Sequence, residues 1–175
     1  LFDFIIEHKP DVHLRLNKIF QQEIKNRGWL LGSMTKQYIR FSTTPIQKYI
    51  YYNKNSKGWK KGESFLFEIV LSREKRNKML FKTVISPCDK EYNRKRLKEI
   101  IYSIKGFKKS KSDNWSVTSH IIENLDYQLV HSLNDKDVKI IVNTFLDKCI
   151  DTIKLVEDKF NSHSDELIKM AKIRN

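Results

Sequence analysis

Cysteine is nearly absent: Cys88 and Cys149 are the only two in 175 residues, and they form no CxxC pair. That excludes a disulfide-framed secreted scaffold and a zinc ribbon. Free thiols in a cytoplasmic setting are the expectation. Five glycines supply neither a Walker A loop nor a GxGxxG turn, so no phosphate cradle and no cofactor is implied. No GxSxG elbow marks a nucleophile. His8, His13, His120, His131 and His163 make neither HExxH nor a Cys/His finger, and read as surface or core histidines. No apolar run approaches the roughly 20 residues of a membrane span. The opening LFDFIIEHKPD has no basic segment ahead of its apolar residues, so no signal peptide is read, and no membrane partner is expected. Its abrupt start without Met reads as a piece of a longer protein.

Acidic charge is scarce in one place only. Residues 54–111 carry 18 basic and 6 acidic side chains, net +12, whereas residues 112–175 carry 8 and 11, net −3. The whole chain is at +13. A local excess of this kind favours polyanions, nucleic acid before an anionic membrane. The alternative is compositional, because lysine, asparagine and isoleucine are abundant throughout.

The hydrophobic share, 39%, is enough for a core. Leu1 to Ile6 reads as the end of a helix. After Pro10 and a capping Asp11, Val12, Leu16, Ile19, Phe20 and Ile24 fall on one helical face that stops at Gly28. Trp29 to Leu31 is an irregular strand or buried loop. Gln37 to Ser42 alternates as a short strand. A tyrosine cluster and a polar loop follow.

The clearest β pattern comes next. Phe65, Phe67, Ile69 and Leu71 alternate with Leu66, Glu68 and Val70, which predicts a central strand covered on both sides. Met79 to Ile85 alternates likewise across the short REKRNK turn, so an antiparallel hairpin is expected. Asp89 is placed to cap a helix whose inward stripe is Leu97, Ile100, Ile101 and Ile104. Trp115 to Ile121 reads as a last strand, and residues 122–134 are ambiguous. From Asp135 to Phe160 the helical period is sustained. The expected fold is α+β: about four antiparallel strands, an N-terminal helix, a helix after the central hairpin and a long C-terminal helix. Residues 1–160 form one domain, and 161–175 form a tail with a short helix around Leu167 and Met170.

The run Lys36-Gln37-Tyr38-Ile39-Arg40-Phe41, a loop with Trp59, the strand Phe67-Glu68-Ile69, and Ile85-Ser86-Pro87-Cys88-Asp89 before a basic helix resemble a region found after the nuclease core of some bacterial PD-(D/E)XK nuclease-like proteins. Arg94, Leu97 and Trp115 sit where that pattern expects them. Cys88 departs from it, standing in place of a small Gly. The resemblance implies an accessory domain of a defence- or restriction-type protein with its catalytic core upstream.

The chain itself shows a poor nuclease signature. Metal-dependent cleavage needs an Asp and a (D/E)-x-K on neighbouring strands. Glu7-His8-Lys9, Glu23-Ile24-Lys25, Asp137-Val138-Lys139 and Glu157-Asp158-Lys159 all read as helical or helix-ending segments. The strand carboxylate Glu68 is followed at the needed offset by Val70.

Three basic blocks are the candidate site. One is Lys54, Lys57, Lys60 and Lys61 around Trp59. The second is Arg73, Lys75, Arg76 and Lys78 at the hairpin turn. The third runs from Arg94, Lys95 and Lys98 to Lys105, Lys108, Lys109 and Lys111, with Arg94, Lys98 and Lys105 on a common helical side. Gathered on one wall they would track phosphates. Trp59 either stacks a base or folds back over the core. A non-catalytic nucleic-acid-binding domain, DNA ahead of RNA, is therefore expected. The alternatives are an interaction or oligomerisation module using the long helix, and a metal-dependent nuclease.

Overall fold

The structure is a computed structural model that describes residues 11–53, 58–72, 77–87, 91–110, 112 and 114–172. The expectations for Leu1 to Ile6, Pro10, Cys88 and Asp89 lie outside these residues. The elements are α1 (Val12–Asn26), β1 (Leu30–Leu31), β2 (Tyr38–Ser42), α2 (Thr44–Gln47), β3 (Phe65–Ser72), β4 (Lys78–Ile85), α3 (Glu91–Tyr102), β5 (Ser116–Asn124), α4 (Tyr127–Ser132), α5 (Asp135–Ser162) and α6 (Ser164–Lys172). The chain is α+β, as its periodicities predict. Its sheet has five antiparallel strands in the order β1-β2-β3-β4-β5, the addition being two-residue β1.

Local chemistry explains the helix ends. The Asp11 carboxylate accepts from His13 N at 2.9 Å and starts α1. Gly28, at φ +73°, turns the chain out of it. Asn134 caps α5 by accepting from Asp137 N. Asp126 likewise caps α4, inside the stretch that periodicity left ambiguous.

The two faces of the sheet differ. On the inner face Phe41, Phe67 and Phe81 stand side by side on neighbouring strands, with centroids 5.5 and 5.7 Å apart. Helices α1, α3 and α5 bury this face through Phe20, Leu97, Ile101, Phe145 and Phe160. Most of the α5 stripe is buried within the chain, from Val138 and Val142 to Val156 and Phe160. The surface offered to a partner helix in the interaction reading is therefore largely occupied; Ile150 alone of that stripe is exposed.

The outer face is covered by loops rather than helices. Trp59 lies over Leu66 and Val84, and its ring meets Trp115 at 5.2 Å. Beside it Arg40 donates to Glu68 at 2.6 Å across the β2–β3 register, with Tyr38 and Trp59 flanking the guanidinium. Both partners are buried. Glu63 fixes the loop after β1 by accepting from Ser33 N and Oγ. Among the described residues no helix is long and apolar enough to cross a membrane.

The Arg40–Glu68 pair makes a testable demand. Removing one partner leaves a charge without its counter-ion in a site closed by two aromatic rings. Glu68→Ala should cost about 3 kcal/mol in urea unfolding. The double variant Arg40→Met/Glu68→Leu should recover most of that loss; equal instability of the two variants would contradict this account.

Candidate nucleic-acid interface

Helix α3 carries the candidate site because its two sides have opposite tasks. Leu97, Ile100, Ile101 and Ile104 are buried in the main core. Arg94 is buried as well, and donates to Asn114 O at 2.6 Å and Ser116 Oγ at 3.3 Å. This corrects its assignment to the basic surface: its guanidinium ties α3 to the start of β5. Arg96 is also engaged, donating to both carboxylate oxygens of Glu166 on α6, at 2.6 and 3.1 Å, and to Glu99 at 2.9 Å. The Arg96 guanidinium hydrogen bonds hold the Glu166 carboxyl below its usual range, against the opposing effect of burial.

What remains facing solvent is a flank of lysines. Lys95, Lys98, Tyr102 and Lys105 follow each other at i, i+3, i+7 and i+10. Lys95 and Lys105 are exposed, and Lys98 and Tyr102 are half-buried. Gly106, at φ +88°, reverses the chain. The following loop then folds back along α3 and the start of β5. Thr118 Oγ1 donates to Lys108 O at 2.8 Å, and Ser110 N donates to the Tyr102 hydroxyl at 3.1 Å. Phe107 packs on the His120 ring at 4.2 Å. Lys105, Lys108 and Lys109 are exposed along this turn and loop. Glu99, the acidic side chain of α3 whose placement is described, is bound by Arg96.

Among the described residues, the first two basic blocks stand at opposite ends of the β3–β4 ladder. Lys98 lies on α3, and Lys105, Lys108 and Lys109 lie on the segment that leaves it. Lys60 and Lys61 lie on the outer side of the sheet, with Lys61 N donating to Ser33 Oγ near β1. Trp59 is 5% exposed, so it covers the core and has no open face for a base. Lys78 pairs with Ser72 at the opposite end of the eight-residue β3–β4 ladder, roughly 23 Å from the Trp59 end. Arg73, Lys75 and Arg76 lie outside the described residues, as do Lys54, Lys57 and Lys111. Reading Arg94, Lys98 and Lys105 as one side displaced the exposed flank by about one residue. The i, i+3 spacing of Lys95 and Lys98 was the available signal for the solvent-facing side.

Catalytic alternatives gain no support. Among the described residues no three His, Cys, Asp or Glu side chains gather as metal ligands would. The tripeptides at Glu23, Asp137 and Glu157 lie within α1 and α5. Cys149 is buried, and burial pushes its thiol up, so it behaves as a small hydrophobe. Compared with protein-family models, curated proteins and solved structures, the chain matches none.

The strand beside the exit loop carries its own titration. Burial pushes His120 down from 6.5 to about 4, and its Nε2 lies 2.9 Å from Thr83 Oγ1. The neutral ring is the folded form, so this contribution is complete above the unfolded value of 6.5 and is lost as pH falls toward the folded one. The loss should reach at most about 3 kcal/mol. Urea unfolding at pH 7 and pH 5 should show a decline that His120→Phe reduces; an unchanged decline would place the titration elsewhere.

Proposed function

We propose that this chain binds nucleic acid through its phosphates, DNA ahead of RNA, along the lysine flank of α3 and the exit loop. The observation that carries this reading is the run of Lys95, Lys98 and Lys105 along α3 and just past its end, followed by exposed Lys108 and Lys109 on a loop tethered to Tyr102 and Thr118. Both arginines of that helix are engaged inside the molecule. A surface of lysines without free guanidinium groups suits point-charge contact with phosphates better than bidentate reading of bases. Binding should therefore depend little on sequence. In the setting implied by the resemblance to PD-(D/E)XK nuclease-like proteins, such a domain would hold nucleic acid for a nuclease core on the same protein.

Salt dependence tests the reading. If four or five phosphates are neutralised, the logarithm of the duplex DNA association constant should fall with the logarithm of salt at a slope of about −4. Lys105→Glu/Lys108→Glu/Lys109→Glu should weaken binding at low salt by about 100-fold and flatten the slope to about −2. The three side chains are exposed, so an unchanged circular dichroism spectrum is expected. Absent binding at low salt, or binding indifferent to salt, would overturn the proposal.

A further inference from the structure

Next to the lysine flank, between the first turn of α3 and α6, lies an open cleft of about 440 Å³. Tyr92, Asn93, Asp165, Glu166, Lys169 and Met170 line it. Its size falls within the range of small-molecule sites. Tyr92 is 74% exposed, more than any other large hydrophobic side chain described, whereas Met170 and Asn93 are buried. The walls are fixed from behind: Arg96 grips Glu166 through two hydrogen bonds, and Leu167 of α6 is buried in the core.

The lining selects a type of occupant. An aromatic wall beside a thioether favours a flat, polarizable ring. Arg96 already occupies Glu166, and Lys169 stands against Asp165 in the same lining, so the cleft has no excess of positive charge to draw a phosphate, while the Asp165 carboxylate can accept from the amino group of a base. Phosphates belong on the neighbouring lysines instead. Tyr92 and Lys95 stand at i and i+3, where Cβ atoms are about 5–6 Å apart. One strand can thus lay a base against Tyr92 while its backbone reaches the lysines.

We propose that the cleft between Tyr92 and α6 receives one unpaired base of a nucleic-acid strand whose phosphates run along the lysine flank. The inference rests on the interface proposed above and narrows its substrate class to single-stranded or locally unpaired nucleic acid. A base inside a duplex is stacked and paired, and does not reach the cleft unless it is flipped out.

Fluorescence anisotropy with a labelled mixed-sequence single strand and with the duplex of the same length tests it. The single strand should bind about tenfold more tightly than the duplex, and Tyr92→Ala should remove about that factor from the single strand alone. Tyr92→Phe should keep the preference, and neither substitution should change the salt slope. Equal binding of both forms, or a Tyr92→Ala variant that binds the single strand as the parent does, would overturn the base cleft and leave the phosphate interface standing. No binding of either form would overturn both. Displacement of the strand by micromolar adenosine monophosphate would reveal a free-nucleotide site and overturn the strand assignment.

Discussion

Contact between the aromatic inner face of the sheet and α5 is the constraint on which the other features depend. Phe65 meets Phe67 and Phe160 at 5.4 and 5.1 Å, and Phe20 meets Phe145 at 6.1 Å. Fully burying one such side chain contributes about 1.5–3 kcal/mol, against about 0–1 kcal/mol for an exposed ion pair. The pair between Arg27 and Asp147, whose carboxylate is largely exposed, therefore orients the end of α1 on α5 rather than holds the two together, whereas Lys139 reaches the buried carboxylate of Glu23. Burial works against the Glu23 carboxylate, but hydrogen bonds from Lys139 and Asn143 win and keep it below its usual range.

The same constraint sets the interface. Once Leu97, Ile100 and Ile101 are committed to the core, the opposite side of α3 must face solvent, and that side carries the lysines. Local tethers then bring the exit loop alongside. Gly106 reverses the backbone, and the bonds to Tyr102 and Thr118 hold the returning segment against α3 and β5. The cationic flank is thus a product of core packing plus a few short polar contacts. The outer side of the sheet is closed by Trp59 and Trp115 and carries exposed Lys60 and Lys61; the exit loop adjoins it where Ser110 Oγ donates to Trp115 O.

Much of this architecture was legible along the chain. Alternation in Phe65–Ser72 and Lys78–Ile85 marked a hairpin, and the sustained stripe from Asp135 marked α5, because these periods repeat within a few residues and are set by the backbone itself. Short elements escaped. Two-residue β1 is too short to show a period, and four-residue α2 sits among tyrosines whose burial depends on α5, as where the Tyr49 hydroxyl donates to Asn161. Of the candidate site, the lysines of α3 and its loop were legible as basic residues, but the burial of Arg94 and Trp59 among them was not.

The sequence by itself determined the hairpin, the amphipathic helices and the concentration of positive charge in the middle of the chain, since each is a matter of residue type and near-neighbour spacing. Tertiary structure alone decided which cations share a surface. Arg94 and Lys95 are adjacent and both basic, yet one is buried against Asn114 and Ser116 and the other faces water. Trp59 follows the same rule, its ring covered because Trp115 arrives from far along the chain. Charge and aromaticity belong to the residue, but exposure is conferred by partners that only folding brings near.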